Sequence, residues 1–157
     1  MLKIWLAVWG IIYLVGLAAS HFLLQGGSSE AALWWVWLIL FAISWVTLGR
    51  SMKKQTSKQM QGVWTLSLVV AILFTLAYLG GILRFEGGAI MAVWFLLQAG
   101  PLIAGGLENK HSPQVTHGLI LLAFGLVLPL WYATSYFLVG AVLLGLPLLA
   151  GGLMTKK

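Results

Sequence analysis

Six long apolar stretches, with all twelve formally charged side chains lying between or beyond them, constrain this chain more than any other feature. They run Ile4 to Leu24, Ala31 to Gly49, Val63 to Leu83, Ala89 to Leu107, Pro113 to Ala133 and Tyr136 to Leu153. Each holds about 18 to 21 residues, which at 1.5 Å rise per residue matches a hydrocarbon core roughly 30 Å thick. With 61% hydrophobic and 8% charged residues over 157 positions, too little polar surface remains for a water-soluble domain of this size. Inside a bilayer, backbone groups pair within a helix or around a closed barrel. Apolar runs this long, without alternating polarity, favour helices. The expected fold is therefore an all-α membrane protein, a single bundle of six transmembrane helices over residues 1–157.

The basic residues set an expected orientation. With six spans and a cytoplasmic N terminus, Lys3, Arg50, Lys53, Lys54, Lys58, Lys110, Lys156 and Lys157 are all cytoplasmic, and Arg84 alone is outside. Both termini are then cytoplasmic, in a plasma or inner membrane. The net charge of +6 follows the connections and not a binding face, which argues against nucleic acid as a partner. Lys3 and the run ending in Leu17, Ala18, Ala19 and Ser20 also fit a signal peptide. Continuation through His21 to Leu24 at full spanning length favours a retained first helix.

Short outward connections at Gln25 to Glu30, Arg84 to Gly88 and Thr134 to Ser135 predict three antiparallel hairpins. Ser29 with Glu30, and Ser112 with Pro113, read as helix starts. A repeat links the ends of the fourth and sixth stretches: Pro101 to Leu107 reads PLIAGGL and Pro147 to Leu153 reads PLLAGGL. It represents either duplication of a hairpin or the chance self-similarity of apolar sequence. The paired glycines at 26–27, 80–81, 87–88 and 105–106 lack the lysine of a phosphate-binding loop and read as helix ends or close-packing positions.

Few residues in the spans carry chemistry. Gln98 is the one amide near the middle of a span, where an unpaired amide costs several kcal/mol. It serves either as an interhelical hydrogen bond or as a ligand contact, beside Pro101, which withdraws an N–H and disturbs the Leu97 carbonyl. His21, preceded by Ser20, lies within the first span, and His117 falls near the cytoplasmic start of the fifth. With no second histidine or carboxylate at its depth, haem ligation and proton relay are disfavoured against a neutral interfacial imidazole. His111 and His117 are spaced six apart, off a common helical face, and read as solvated loop residues and not as a metal site.

Arg50, Lys53, Lys54 and Lys58 form a polybasic connection suited to lipid head groups, or serve only as the topology signal. Trp34, Trp35 and Trp37, with Trp131, Tyr132 and Tyr136, read as an outer interfacial belt, and Trp5 and Trp64 as its inner counterpart. Trp9, Trp45, Trp94, Tyr13 and Tyr78 lie deeper, as ordinary packing or the lining of an apolar cavity.

No intramembrane carboxylate is present for ion coupling, and no Ser/His/Asp set, HExxH motif or cysteine is present for hydrolytic, metal or thiol chemistry. The sequence thus favours a non-catalytic membrane protein without cofactor or metal. Its expected partners are membrane lipids and either a larger membrane complex or further copies of itself. The alternative is binding or transport of a neutral or apolar small molecule, with Gln98, Trp94, Tyr78 and His21 as the pocket residues.

Overall fold

The computed structural model describes residues 2–52, 57–84, 86–108, 110, 112–130 and 135–154, and among these the chain is helical without a strand. The helices are α1 (Leu2–Gln25), α2 (Glu30–Met52), α3 (Lys58–Leu79), α4 (Gly87–Glu108) and α5 (Ser112–Val127), the last running into a 3₁₀ turn at Leu128–Leu130. A final rod comprises α6 (Tyr136–Gly140), a π turn (Ala141–Gly145) and α7 (Leu146–Met154). By length and composition, α1 to α4 contain segments long and apolar enough to cross a membrane, whereas the apolar parts of α5 and of the final rod are shorter.

Local sequence explains most boundaries. Ser29 lies just before α2 and accepts from the Ala32 N–H at 3.4 Å, so the serine read as a helix start has that place. Ser57 caps α3 in the same way, accepting from Met60 N–H at 3.2 Å. α1 and α3 end by one device. Gly27 and Gly81 adopt positive φ, 90° and 72°. The Gly27 N–H reaches the Leu24 carbonyl and the Ser28 N–H the Leu23 carbonyl; Gly81 and Ile82 repeat this pattern onto Tyr78 and Ala77. The third stretch, expected to continue to Leu83, therefore ends as a helix at Leu79.

α5 stops at Val127, short of the expected Ala133, because Pro129 has no N–H to continue the ladder and its ring opposes the Gly125 carbonyl. Pro147 conflicts in the same way with the carbonyl of Leu143, and Leu143 lies inside the π turn, whose wider coil accommodates a proline that an α-helix excludes. α4 continues through Pro101.

The chain forms two compact units, residues 1–54 with 134–157, and residues 55–133. In the first, α1 packs against α2 and against the final rod. A Cβ on Gly145 would lie 2.7 Å from the Leu14 backbone nitrogen, and Gly10 meets the Leu149 backbone still more closely. Residue numbers rise along α1 as they fall along the rod, so the two run antiparallel with their backbones in close approach. α1 and α2 are joined by a ladder of side-chain bonds. Trp9 Nε1–H donates to Thr47 Oγ1 at 2.8 Å, Tyr13 pairs with Ser44, and Trp37 Nε1–H donates to Ser20 Oγ at 2.8 Å. Each hydroxyl in turn donates to a carbonyl of its own helix: Thr47 to Ile43 or Ser44, Ser44 to Phe41, and Ser20 to Gly16. Every polar atom in the ladder is thereby used where a loose one would be costly.

In the second unit, α4 lies between α3 and α5. Gly106 abuts Val115, Gly118 abuts Ile103 and the Ala99 carbonyl, and Gly125 abuts Leu96, again in antiparallel order. Gly105, in the PLIAGGL segment, lies against Gln114 and Met60, which makes this glycine pair a packing surface. The fifth and sixth apolar stretches, read from sequence as the third hairpin, belong to different units: α5 packs on α4, and the final rod packs on α1.

Candidate functional site

The chemically unusual place is the end of the first unit where α1 ends, α2 begins and α6 begins. His21 is 4% exposed, and its Nδ1 atom is buried with no hydrogen-bond partner among the described residues. Trp34 is fully buried, and its Nε1–H is likewise without a partner. The other two buried indoles with recorded bonds in this unit, Trp9 and Trp37, both find hydroxyls, which sets Trp34 apart.

Helical spacing sets the face on which each side chain lies. Gly10, Leu14, Leu17 and His21 form a stripe along one face of α1. Its lower part faces the final rod, with Gly10 on Leu149 and Leu14 on Gly145. α1 also packs against α6, a single turn of helix at Tyr136–Gly140. Trp34 reaches the same turn from α2, its ring 5.5 Å from that of Phe137 and stacked on Tyr136 at 6.3 Å with an interplanar angle of 7°. Tyr136 O–H donates to Glu30 Oε1 at 2.7 Å, fastening the start of α6 to the start of α2. The half-buried Glu30 is the only acidic side chain in this unit, and no lysine or arginine lies in its apolar stretches. Immediately inward follows the π turn, a form of helix that recurs at functional sites.

The chemistry available here is hydrogen bonding to an uncharged group. The indole N–H only donates, and a neutral imidazole offers one donor and one acceptor nitrogen. No nucleophile with an adjacent base is present among the described residues of this end.

The sequence-selected residues are dispersed. Trp94, Tyr78 and Gln98 belong to the second unit, and His21 to the first. Trp94 is buried: its Nε1–H donates to Thr75 Oγ1 at 3.0 Å, and Thr75 donates to the Ala71 carbonyl at 2.8 Å, both bonds buried. Gln98 is half-buried on the α4 stripe that carries Trp94, Pro101 and Gly105, and makes no hydrogen bond to a described residue. Tyr78 is half-buried near the C-terminal end of α3. In the polybasic segment, α2 continues through Arg50 to Met52 and α3 starts at the exposed Lys58, whereas Lys53 and Lys54 lie outside the described residues. His111, Trp131 and Tyr132 also lie outside them, and His117 is half-buried on α5.

The sequence places Trp34 in an outer interfacial belt. The structure buries Trp34 and Trp37 and leaves Trp35 48% exposed, which corrects that reading for two of three tryptophans. The signal was present: Trp34, Trp37, Phe41 and Ser44 recur at helical spacing, one buried stripe of α2.

No family model, curated protein or solved structure matches the chain.

Proposed function

We propose that the protein is an integral membrane protein of six crossings with both termini cytoplasmic, and that its first unit binds an uncharged small molecule at the outer end. The lengths of the apolar stretches and the distribution of eight basic residues against one support the topology. The observation that carries the binding reading is that the first unit holds two buried groups without a partner among the described residues, His21 Nδ1 and Trp34 Nε1. A buried polar atom left without a partner costs about 1–3 kcal/mol. A bound molecule that completes both is a direct way for such a pair to be stable in a unit whose other recorded buried side-chain donors are matched.

Native mass spectrometry of the protein released gently from its own membrane tests this reading. The expected result is a discrete small-molecule adduct that is lost in the His21→Leu variant. A bare chain, or a stoichiometric protein partner with no adduct, overturns it; the latter outcome would instead mark the protein as an accessory subunit of a larger membrane complex.

A further inference from the structure

We infer that the π turn of the final rod is a register device: it stores one residue more than a straight helix needs, and so holds the start of α6 latched to the start of α2. The buried face of the rod recurs in strict steps of four residues, with Tyr136, Gly140 and Leu144 beside Phe137, Ala141 and Gly145. Val142 and Leu146, off that face, are exposed. Four residues of α-helix turn through about 400°, so a face of this kind drifts by about 40° at every step. From Phe137 to Leu149, the residue seated against Gly10, the drift would reach about 120°. One extra residue taken up by a π turn removes about 100° of it, and the π turn lies between those two positions, at Ala141–Gly145.

Proline alone does not dictate the turn. The segment PLIAGGL, from Pro101, lies in unbroken α-helix in α4, whereas PLLAGGL, from Pro147, follows the π turn in the rod. What differs is the register. The buried positions Gly87, Met91, Trp94, Pro101 and Gly105 of α4 run from first to last over about five whole turns of α-helix, and return to one line. That stripe stays straight without an extra residue, and the four-step face of the rod does not. Both ends of the rod are fixed. Gly145 lies against the Leu14 backbone and Leu149 against Gly10, while Tyr136 bonds Glu30 and stacks on Trp34. Were the turn to relax into α-helix with every residue kept, α6 would rotate by about 100° against α7 and carry Tyr136 away from Glu30. Turn and latch therefore exist together.

The test uses the full chain in lipid nanodiscs with Glu30→Cys and Tyr136→Cys, a pair that a short bis-maleimide joins when α6 keeps its place on α2; the chain has no other cysteine. Cross-linking yield is read by mass spectrometry, and thermal unfolding is followed in the same variants without the cysteine pair. Deletion of Val142 should leave yield and unfolding midpoint close to those of the parent, because a continuous α-helix then runs from Phe137 to Leu149 with a drift of only about 20°. Pro147→Ala should also keep the yield, since the packing on α1 and α2, and not the proline, demands the extra residue. Leu122 is likewise exposed, but α5 has no π turn to absorb its loss. Its deletion should turn Gly118 off Ile103 or Gly125 off Leu96, and lower the midpoint by about 5–10 °C. Absence of the cross-link from the parent, or its loss on deletion of Val142 or in Pro147→Ala, overturns the inference. So does a deletion of Leu122 as harmless as that of Val142.

Discussion

Trp34 and Trp37 stand one turn apart on α2, are buried to almost the same extent, and differ in one respect: Trp37 gives its N–H to Ser20, and Trp34 gives its own to no described residue. The pair therefore separates the value of a hydrogen bond from that of ring burial. Replacing either by Phe removes similar volume. Trp37→Phe additionally leaves the Ser20 hydroxyl oxygen without its indole donor, whereas Trp34→Phe removes an atom that had no partner in the protein. In ligand-free preparations, Trp37→Phe should be the more destabilising by about 1 kcal/mol, read from the midpoint of denaturant unfolding in micelles. Equal losses would mean that the Ser20 bond contributes nothing net. At this scale the sequence identified His21 as unusual but not Trp34. A histidine inside an apolar stretch is conspicuous by type, whereas a tryptophan near a helix start looks alike whether it faces lipid head groups or the interior. Only the rotation of α2 distinguishes the two, and a helix almost uniformly apolar gives little sign of its rotation.

At the scale of the helices, existence and approximate extent were legible because bilayer-length apolar runs are a coarse and strong signal. Their ends were readable where capping chemistry is local, as at Ser29, and the glycine pairs that close α1 and α3 were recognised as helix ends or packing positions without its being clear which. Partnership was not legible. α1 chooses the final rod through Gly10 and Gly145, more than 130 residues apart in sequence, and nothing in either stretch marks those glycines among the nineteen. Van der Waals closeness, and not hydrophobic drive, favours such pairs in lipid, so substitutions should act through shape. Gly118→Ala would place a Cβ 2.7 Å from Ile103 and 3.0 Å from the Ala99 carbonyl, and should destabilise the second unit by about 1–3 kcal/mol. Gly62→Ala meets nothing within 4 Å on the exposed side of α3 and should be neutral or stabilising by up to about 1 kcal/mol. Thermal unfolding of the two variants side by side tests this. A Gly118→Ala protein as stable as wild type would show that α4 and α5 are not held at backbone contact.

At the scale of the whole molecule, the strongest statement made by the sequence concerns the two sides of the membrane, and it can be checked directly because the chain contains no cysteine. Single cysteines can be introduced one at a time without a competing thiol. Ser28, between α1 and α2, and Arg84, between α3 and α4, are exposed and belong to connections expected outside. Lys58, at the start of α3, and Lys110, between α4 and α5, are exposed and belong to connections expected inside. A membrane-impermeant maleimide applied to intact cells should therefore label Ser28→Cys and Arg84→Cys, and should label Lys58→Cys and Lys110→Cys only after the membrane is opened. The same pattern decides whether α5 and the interrupted final rod both cross. With α1 to α4 alternating, Lys110 is cytoplasmic whatever follows it, but a cysteine at Lys157 remains cytoplasmic only if the remaining chain crosses twice or not at all. A cysteine at Ser135, between α5 and α6, separates those two cases: labelling from outside requires that both cross. Protection at Ser135 would leave α5 and the final rod on the inner side, which would conflict with the Tyr136 to Glu30 bond, since Glu30 starts α2 next to a connection expected outside.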